Sequence, residues 1–460
     1  MKVLLVKPIS EIHVVSPPLS LAYLASSAKN LKQVKEVKIL DCLLSKLSYK
    51  DFEDYIRKYK PDIIGLTAFT LEFPSALKMA KIAKKLNKNT KIVLGGPHVS
   101  NHPQDLKNKE IDFIFRGEGE EAFPLLIKEL NKKKPNFKKI PNMGWKKKNK
   151  IILNEIKFIQ DLNKLQFPDF ELIDFLKYPK LYLAKKHPAI PLITSRGCPF
   201  SCTFCSAKNI SGKKFRARTP ENILEEIKQL KQKFNIKEFQ FWDDNFTLDK
   251  ERANKFCDLL IKENLDLIWW CPNGVRVETL DRELLLKMKK SGCYAMAFGI
   301  ESGSEKIQKD MKKNLDLKKV KEIITFAHKI GIRTQGFFII GYPTETKEDI
   351  EKTIKFAKSL PLDRASISLF QPLFGSEIYE DLVKQGKIEK DYNIADCDYS
   401  KASILPIGFK NLEEVKKMQR KALIQFYSRP KVFLKFISEN LSLSQIKEIF
   451  KMIKTYVLGI

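Results

Sequence analysis

The stretch Ser195-Arg196-Gly197-Cys198-Pro199-Phe200-Ser201-Cys202-Thr203-Phe204-Cys205 closes the apolar run Leu192–Ser195 and places three cysteines within eight residues. A strand followed at once by a cysteine loop puts chemistry at a strand's carboxyl end, where β/α folds carry it. Three thiolates this close together in a chain with a cytoplasmic composition are more natural as metal ligands than as disulfide partners. No fourth Cys or His lies nearby, the next cysteine being Cys257. A structural zinc site wants four protein ligands. An iron–sulfur cluster is held by thiolates, and three of them leave one iron open to an exogenous ligand.

Outward from this loop, short apolar runs alternate with helical patterns. Downstream, strands are expected at Leu192–Ser195, Glu238–Trp242, Asp266–Trp270, Ala295–Gly299, Thr334–Ile340 and Arg364–Phe370. Helices are expected at Pro220–Lys233, Lys250–Glu263, Asp281–Lys290, Leu317–Lys329 and Lys347–Ser359. Six such units predict a partial TIM-like (β/α)6 barrel over 189–375. Upstream, the runs Val3–Val6, Val37–Leu40, Asp62–Leu66, Lys91–Leu94 and Asp112–Phe115, separated by helical segments, predict a doubly wound (Rossmann/flavodoxin-like) α/β domain over 1–131. Lysine clusters and Pro135, Pro141, Pro168 and Pro179 mark 132–188 as a linker, and 376–460 loses the β pattern and reads as helical.

The composition narrows the class. With 43% hydrophobic residues over 460 positions the chain is too apolar for disorder and long enough for two or three domains. No run approaches the roughly 18 to 20 apolar residues that span a bilayer, and Met1 leads into Lys2–Lys7 with no secretory pattern, so a soluble cytoplasmic protein is expected. The formal charge is +29, but 72 of the 84 basic residues are lysine and they are spread along the chain. Arginine dominates bidentate phosphate and base recognition, so a solvated lysine surface is the better reading than a nucleic-acid face.

The spacing Cys-x-x-x-Cys-x-x-Cys with an aromatic before the third cysteine resembles the signature of radical S-adenosylmethionine (radical SAM) enzymes. The resemblance continues, in order, through Trp242-Asp243-Asp244-Asn245-Phe246, Trp269-Trp270-Cys271, Met288 with Ser291-Gly292-Cys293, Gly299-Ile300-Glu301-Ser302-Gly303-Ser304 and Gly341-Tyr342-Pro343-Thr344-Glu345-Thr346. It implies that Cys198, Cys202 and Cys205 hold a 4Fe-4S cluster. The open iron is then chelated by the amino and carboxylate groups of S-adenosylmethionine, whose reductive cleavage yields a 5′-deoxyadenosyl radical. It further implies that Phe241, Asp243 and Asp244 meet the methionine moiety, Glu301 and Ser302 its polar groups or the ribose, Phe204 the adenine, and Gly341 to Pro343 the nucleoside. Asp243 and Asp244 have helix capping ahead of Lys250–Glu263 as a competing role, and Glu301 that of a surface carboxylate. Arg276 reads either as a partner of the cofactor carboxylate or as a plain surface residue. Cys257, Cys271, Cys293 and Cys397 read as small buried hydrophobes.

The first domain resembles the cobalamin-binding domain that precedes many such enzymes, through Pro17-Pro18-Leu19-Ser20-Leu21-Ala22-Tyr23-Leu24-Ala25, Gly65-Leu66-Thr67, Gly95-Gly96-Pro97-His98-Val99-Ser100 and Arg116-Gly117-Glu118-Gly119-Glu120. That implies tail-binding loops containing Thr67, Gly95, Gly96, Pro97, His98, Gly117, Glu118 and Gly119. Classical cobalamin domains ligate cobalt through Asp-x-His-x-x-Gly; this chain has Glu11-Ile12-His13-Val14-Val15-Ser16, a near miss that makes His13 a weak candidate ligand.

Together the two resemblances imply a cobalamin-dependent radical methyltransferase acting on an unactivated carbon, or an anaerobic oxidative cyclase. A non-catalytic corrinoid or redox sensor stands as the rival from another class. The implied partners are a small-molecule or lipid substrate and a one-electron donor such as flavodoxin or ferredoxin. Apolar positions Ile446, Ile449, Phe450, Ile453 and Val457 at helical spacing suggest packing on the barrel or peripheral membrane contact. Methylthiolation of tRNA would need three further cysteines near the N-terminus, and residues 1–190 hold only Cys42.

Overall fold

The computed structural model describes residues 1–10, 16–148, 150–179, 181, 184–389 and 402–439. The chain forms two compact units, one of Met1–Pro199 with Ser206–Glu238 and one of Phe200–Cys205 with the chain from Phe239 onward.

In the first unit the elements run β1 (Lys2–Lys7), α1 (Leu19–Ala28), β2 (Glu36–Asp41), α2 (Tyr49–Tyr59), β3 (Ile63–Thr67), α3 (Phe73–Leu86), β4 (Lys91–Gly95), α4 (Pro97–Asn101), β5 (Phe113–Phe115) and α5 (Ala122–Leu130). Val3, Leu4, Leu5 and Val6 are all fully buried, as a strand covered on both faces requires. The parallel order β2-β1-β3-β4-β5 is flavodoxin-like and reverses direction between β1 and β3, so ligands belong at the carboxyl ends there.

The segment expected as a linker does more than connect. The hairpin β6 (Met143–Lys147) and β7 (Lys150–Leu153) continues the same sheet antiparallel to β5. Its lysines fit an exposed sheet edge, where charge blocks further pairing. The same unit contains β8 (Ala189–Leu192), the two-residue strands β9 (Ser195–Arg196) and β10 (Arg216–Ala217), and α6 (Pro220–Phe234). The strand expected at Leu192–Ser195 therefore ends at Leu192, and Ser195 belongs to a separate antiparallel ribbon with β10.

The alternation then continues as β11 (Glu238–Phe241), α7 (Lys250–Glu263), β12 (Ile268–Val275), α8 (Arg282–Lys290), β13 (Cys293–Glu301), α9 (Glu305–Asp310), α10 (Leu317–Lys329), β14 (Arg333–Ile340), α11 (Lys347–Ser359) and β15 (Arg364–Leu369). Strands β12 to β15 pair in parallel in chain order. Every residue of β13 is buried, which marks the middle of the barrel sheet. Phe239, Phe241, Phe246, Phe256 and Trp269 form one aromatic cluster joining β11, β12 and α7. The helices α12 (Glu377–Lys384), α13 (Leu412–Tyr427) and α14 (Pro430–Glu439) follow. Helix α13 packs on the barrel: Gln419 Nε2 donates to the Ile367 carbonyl at 2.8 Å and Tyr427 Oη to that of Ala365 at 2.8 Å. The apolar positions Ile446 to Val457 lie outside the described residues.

Candidate functional site: a cysteine loop and two sets of strand-end loops

Gly197 has φ +89°, and a Cβ there would sit 2.2 Å from the Lys214 carbonyl oxygen, so only glycine fits. The Cys198 N–H donates to the Gly212 carbonyl at 3.2 Å. Five residues on, the loop is pinned by other partners. Thr203 N–H donates to the Met311 carbonyl at 3.0 Å, the Thr203 carbonyl accepts Ile378 N–H at 3.0 Å, and Thr203 Oγ1 meets Tyr342 Oη at 2.8 Å. Phe204 packs on the cluster of Ile307, Met311, Tyr342, Phe370 and Leu382. Cys198, Cys202 and Cys205 are partly exposed, whereas Cys42, Cys257, Cys271 and Cys293 are buried. Burial pushes the thiols of Cys42 and Cys257 up to about 12 and raises those of Cys271 and Cys293, keeping all four neutral. Cys397 lies outside the described residues.

Arg276 is buried, not a surface residue. Its Nη1 donates to Cys202 Sγ at 3.7 Å, its guanidinium stacks 3.7 Å from the Phe200 ring centroid, and its Nη2 donates to the Lys313 carbonyl at 2.6 Å and to Glu278 at 2.8 Å. Its Nε is buried and has no partner. A fixed cation and an unmet donor beside a partly exposed thiol suit a site that accumulates negative charge, as a thiolate-bound cluster with a carboxylate ligand would. The donor set thus fits an iron–sulfur cluster.

Glu301 sits at φ +66°, beyond a register shift between Gly299 and Glu301 on β13. A non-glycine residue in the left-handed region, re-aimed by a bulge at the end of a buried strand, is the kind of strain that functional sites carry. Its carboxylate pairs with buried Lys313 at 3.1 Å, and a Cβ on Gly299 would lie 2.8 Å from Glu301 Oε1 and 2.9 Å from Lys313 Nζ. Glycine at 299 therefore makes room for this ion pair. Gly341 has φ +90°, and both its N–H (2.7 Å) and that of Tyr342 (3.2 Å) donate to Glu345 Oε2. Pro343 is buried in the same turn.

In the first unit, Thr67 ends β3 and faces the β4 turn. A Cβ on Gly96 (φ +97°) would lie 2.8 Å from Ala68 N, Ala68 O and Thr67 Oγ1, while one on Gly95 would meet nothing within 4 Å. The turn is thus tight on its inner side and open on the other, a backbone cradle suited to a bulky ligand. Pro97 starts α4, Gly117 (φ +71°) donates its N–H to Ser100 Oγ at 2.9 Å, and Gly119 lies against Leu24.

The sequence pattern of the Radical SAM superfamily matches residues 192–357, and that of the B12 binding domain matches residues 7–127. An uncharacterized methyltransferase of Pyrococcus horikoshii is 35% identical over 454 residues, covering 96% of this chain and 95% of its own. The chain belongs to the cobalamin-binding radical SAM family. The anaerobic magnesium-protoporphyrin IX monomethyl ester cyclase of Rubrivivax gelatinosus is 29% identical over 373 residues, 80% of this chain and 66% of the relative. The fold is similar to that of the cobalamin-dependent S-adenosylmethionine radical enzyme OxsB, with TM-score 0.76 and 15% identity over 99% of this chain and 71% of the other. The chain is therefore an α/β radical SAM enzyme.

Several expected contacts of this radical SAM enzyme take a different form in the structure. The Phe241 side chain is buried in the aromatic cluster and cannot present its ring to a ligand. Helix α7 is capped by Asp249, which accepts Arg252 N–H, so capping does not account for Asp243 or Asp244. Asp243 is buried 3.9 Å from Arg252 Nη2, and Asp244 is exposed. The Ser302 hydroxyl is turned inward, 3.0 Å from Thr353 Oγ1 and accepting Ser304 N–H at 3.1 Å. His98 is buried, stacked 4.2 Å from Phe73, with Nε2 2.8 Å from Asp105. Burial lowers its pKa, with Asp105 opposing, so its neutral ring braces the loop from inside and does not line it. Glu118 faces Arg216 and Arg196 and not the open side of the loop. His13 lies outside the described residues.

Sequence reasoning gave no role to the side chains of Thr203, Tyr342, Lys313 and Glu345, which hold these loops. Thr203 and Tyr342 stood inside quoted motifs, but a hydrogen bond across 139 residues leaves no local trace. Lys313 follows exposed Lys312 in a lysine-rich run, and nothing but burial tells the two apart.

Proposed function

We propose that Cys198, Cys202 and Cys205 hold a 4Fe-4S cluster whose open iron takes S-adenosylmethionine, and that the enzyme, with cobalamin on the loops after β3, β4 and β5, methylates an unactivated carbon of a small-molecule or lipid substrate. The observation that carries this is the contrast among the cysteines: three partly exposed thiols on one loop, with Arg276 against Cys202, and four neutral buried ones elsewhere among the described residues. When bound, the cluster and S-adenosylmethionine supply a hydrogen-abstracting 5′-deoxyadenosyl radical, and methylated cobalamin supplies the methyl group.

The chain's part is to bind and orient. Arg276 offers its unpaired Nε–H to negative charge near Cys202. Glu301, held by Lys313, and the Gly341 carbonyl, in a turn whose amides are bound by Glu345, are fixed acceptors for the polar groups of the nucleoside and methionine. Phe204 gives an apolar face for adenine, and Asp243 and Asp244 stand at the β11 end for the methionine amine. Gly95, Gly96 and Thr67 let the corrinoid tail approach backbone, with Pro97, Gly117 and Gly119 shaping the loops around it.

Among the described residues no helix is long and apolar enough to cross a membrane. We place the enzyme in the cytoplasm under anaerobic conditions, with a flavodoxin or ferredoxin as one-electron donor. The similarity to the anaerobic cyclase makes oxidative cyclisation the second reading. Anaerobic reconstitution with iron, sulfide and cobalamin, then turnover with methyl-deuterated S-adenosylmethionine and a metabolite extract, separates them. A deuterated product establishes methylation, and 5′-deoxyadenosine without one favours cyclisation. The Cys198/Cys202/Cys205 to Ala variant is expected to form no 5′-deoxyadenosine, and retention of that activity would refute the cluster assignment.

A further inference from the structure

The loop after β5 lies where a doubly wound sheet presents residues to a ligand, yet its acidic side chains point to arginines beside the cysteine loop. Arg196 and Arg216 stand directly opposite each other on the β9/β10 ribbon. Like charges in that position destabilise a strand pair, and burial leaves the repulsion poorly screened. Their side chains are only 11% and 2% exposed. The balancing charge comes from the β5 loop. Glu118 Oε1 lies 2.8 Å from Arg216 Nη1 and 3.4 Å from Arg196 Nη1, and Glu120 Oε1 accepts from Arg196 Nη2 at 2.6 Å. Two neutral contacts run in the same direction: Asn209 Nδ2 donates to Asn101 Oδ1 at 2.9 Å, and the space a Cβ on Gly117 would fill is 3.2 Å from the Ile210 carbonyl oxygen.

We infer that Glu118, Glu120, Arg196 and Arg216 form a positioning clamp that ties the backbone of Cys198 to the loops after β4 and β5, so that the corrinoid-side loops and the first cysteine of the cluster loop hold a fixed geometry. The inference rests on the proposed function for what those two places bind. There is little slack in the tie. Gly197 is the single residue between Arg196 and Cys198; it is wedged against the Lys214 carbonyl, and Cys198 N–H is bonded to Gly212 on the segment that leads into Arg216. Positioning by a buried, two-acid and two-base network is geometrically demanding, because removal of any one member leaves an unpaired charge.

The test compares wild type, Glu120→Gln, Arg196→Lys and the charge swap Arg196→Glu with Glu120→Arg, each reconstituted anaerobically. Iron and sulfide content are measured, and the reduced cluster's electron paramagnetic resonance is recorded before and after S-adenosylmethionine. The single variants are expected to take up wild-type iron yet lose or alter the shift in g-values that S-adenosylmethionine induces, and the swap, which restores a guanidinium–carboxylate pair, to regain it. Wild-type spectra in the single variants, or a swap that restores nothing, would overturn the clamp. Amide hydrogen exchange on the iron-free chain gives a readout that survives failed reconstitution. Faster exchange in the single variants is expected over residues 195–217 and not in β13 or β14; a uniform change or none would overturn the clamp. A wild-type chain that takes up no iron would instead sink the proposed cluster while the exchange data still decide whether the ribbon is clamped.

Discussion

One oxygen of Glu345 accepts two backbone amides and the other is buried without a partner. Burial pushes this carboxyl up to about 8, and the amides of Gly341 and Tyr342 offset only part of that. Between its ordinary value of 4.5 and about 8 the folded chain holds a proton that the unfolded chain releases, so stability falls as pH rises through that window. Glu345→Gln keeps an acceptor for the amides and removes the titration. Its melting temperature is expected to decline less than that of wild type across this window, and parallel declines would reject the assignment. A methyl group at Gly197 has a more local effect, because the Lys214 carbonyl it meets is backbone and must move. Gly197→Ala is expected to lower iron uptake on reconstitution, measured by iron per chain, with the far-ultraviolet circular dichroism unchanged. At this scale the sequence exposed what repeats at fixed spacing, the three cysteines and the glycines beside them. It left open what depends on a distant partner: Arg276 reads equally as a cofactor partner or a surface arginine until Cys202 and Phe200 are seen against it.

Among the elements, β11 shows how one strand splits structure from function. Phe241 points into an aromatic cluster, stacked 4.3 Å from Phe246 and tilted against Trp269 at 5.3 Å, while Asp244, three residues on, is exposed. Phe241→Ala is expected to cost about 3–5 kcal/mol in a urea titration, the usual range for emptying a buried aromatic site. Asp244→Ala is expected to stay within about 0.5 kcal/mol of wild type and to weaken S-adenosylmethionine binding; equal destabilisation by the two would remove the distinction. The alternation of apolar runs and amphipathic helices made most strands and helices readable, because in β/α units each element announces itself by its own period. Two elements were not readable for a physical reason. The β6/β7 hairpin carries Lys146, Lys147 and Lys150, which a sheet edge tolerates and a pattern search takes for a linker. The two-residue strands β9 and β10 are too short for any period, and exist because Arg196 and Arg216 find carboxylates on a loop about 80 to 100 residues earlier.

Over the whole molecule the excess charge of +29 is not consumed by the fold. Many lysines pair with a carboxylate three or four residues away at the surface, as Lys132 does with Glu129, Lys352 with Glu348 and Lys416 with Glu413. Such exposed pairs contribute about 0–1 kcal/mol each and leave the long-range field in place. The buried charges, by contrast, are locally balanced, as at Arg196 and Arg216 and at Lys313 with Glu301. A positive field with little role in stability is expected to act on encounter, and it would favour an acidic protein reductant such as the flavodoxin proposed above. The Debye length shrinks from about 30 Å to about 8 Å between 0.01 and 0.15 M salt, so the steering should fade over that interval. The rate of 5′-deoxyadenosine formation under limiting reduced flavodoxin is expected to fall steeply across it. With reduced methyl viologen, a small cation, the same field repels the donor and the rate should rise with salt. Opposite slopes for the two reductants assign the lysine excess to electron delivery, and a flat response with flavodoxin would show that the charge plays no part in it.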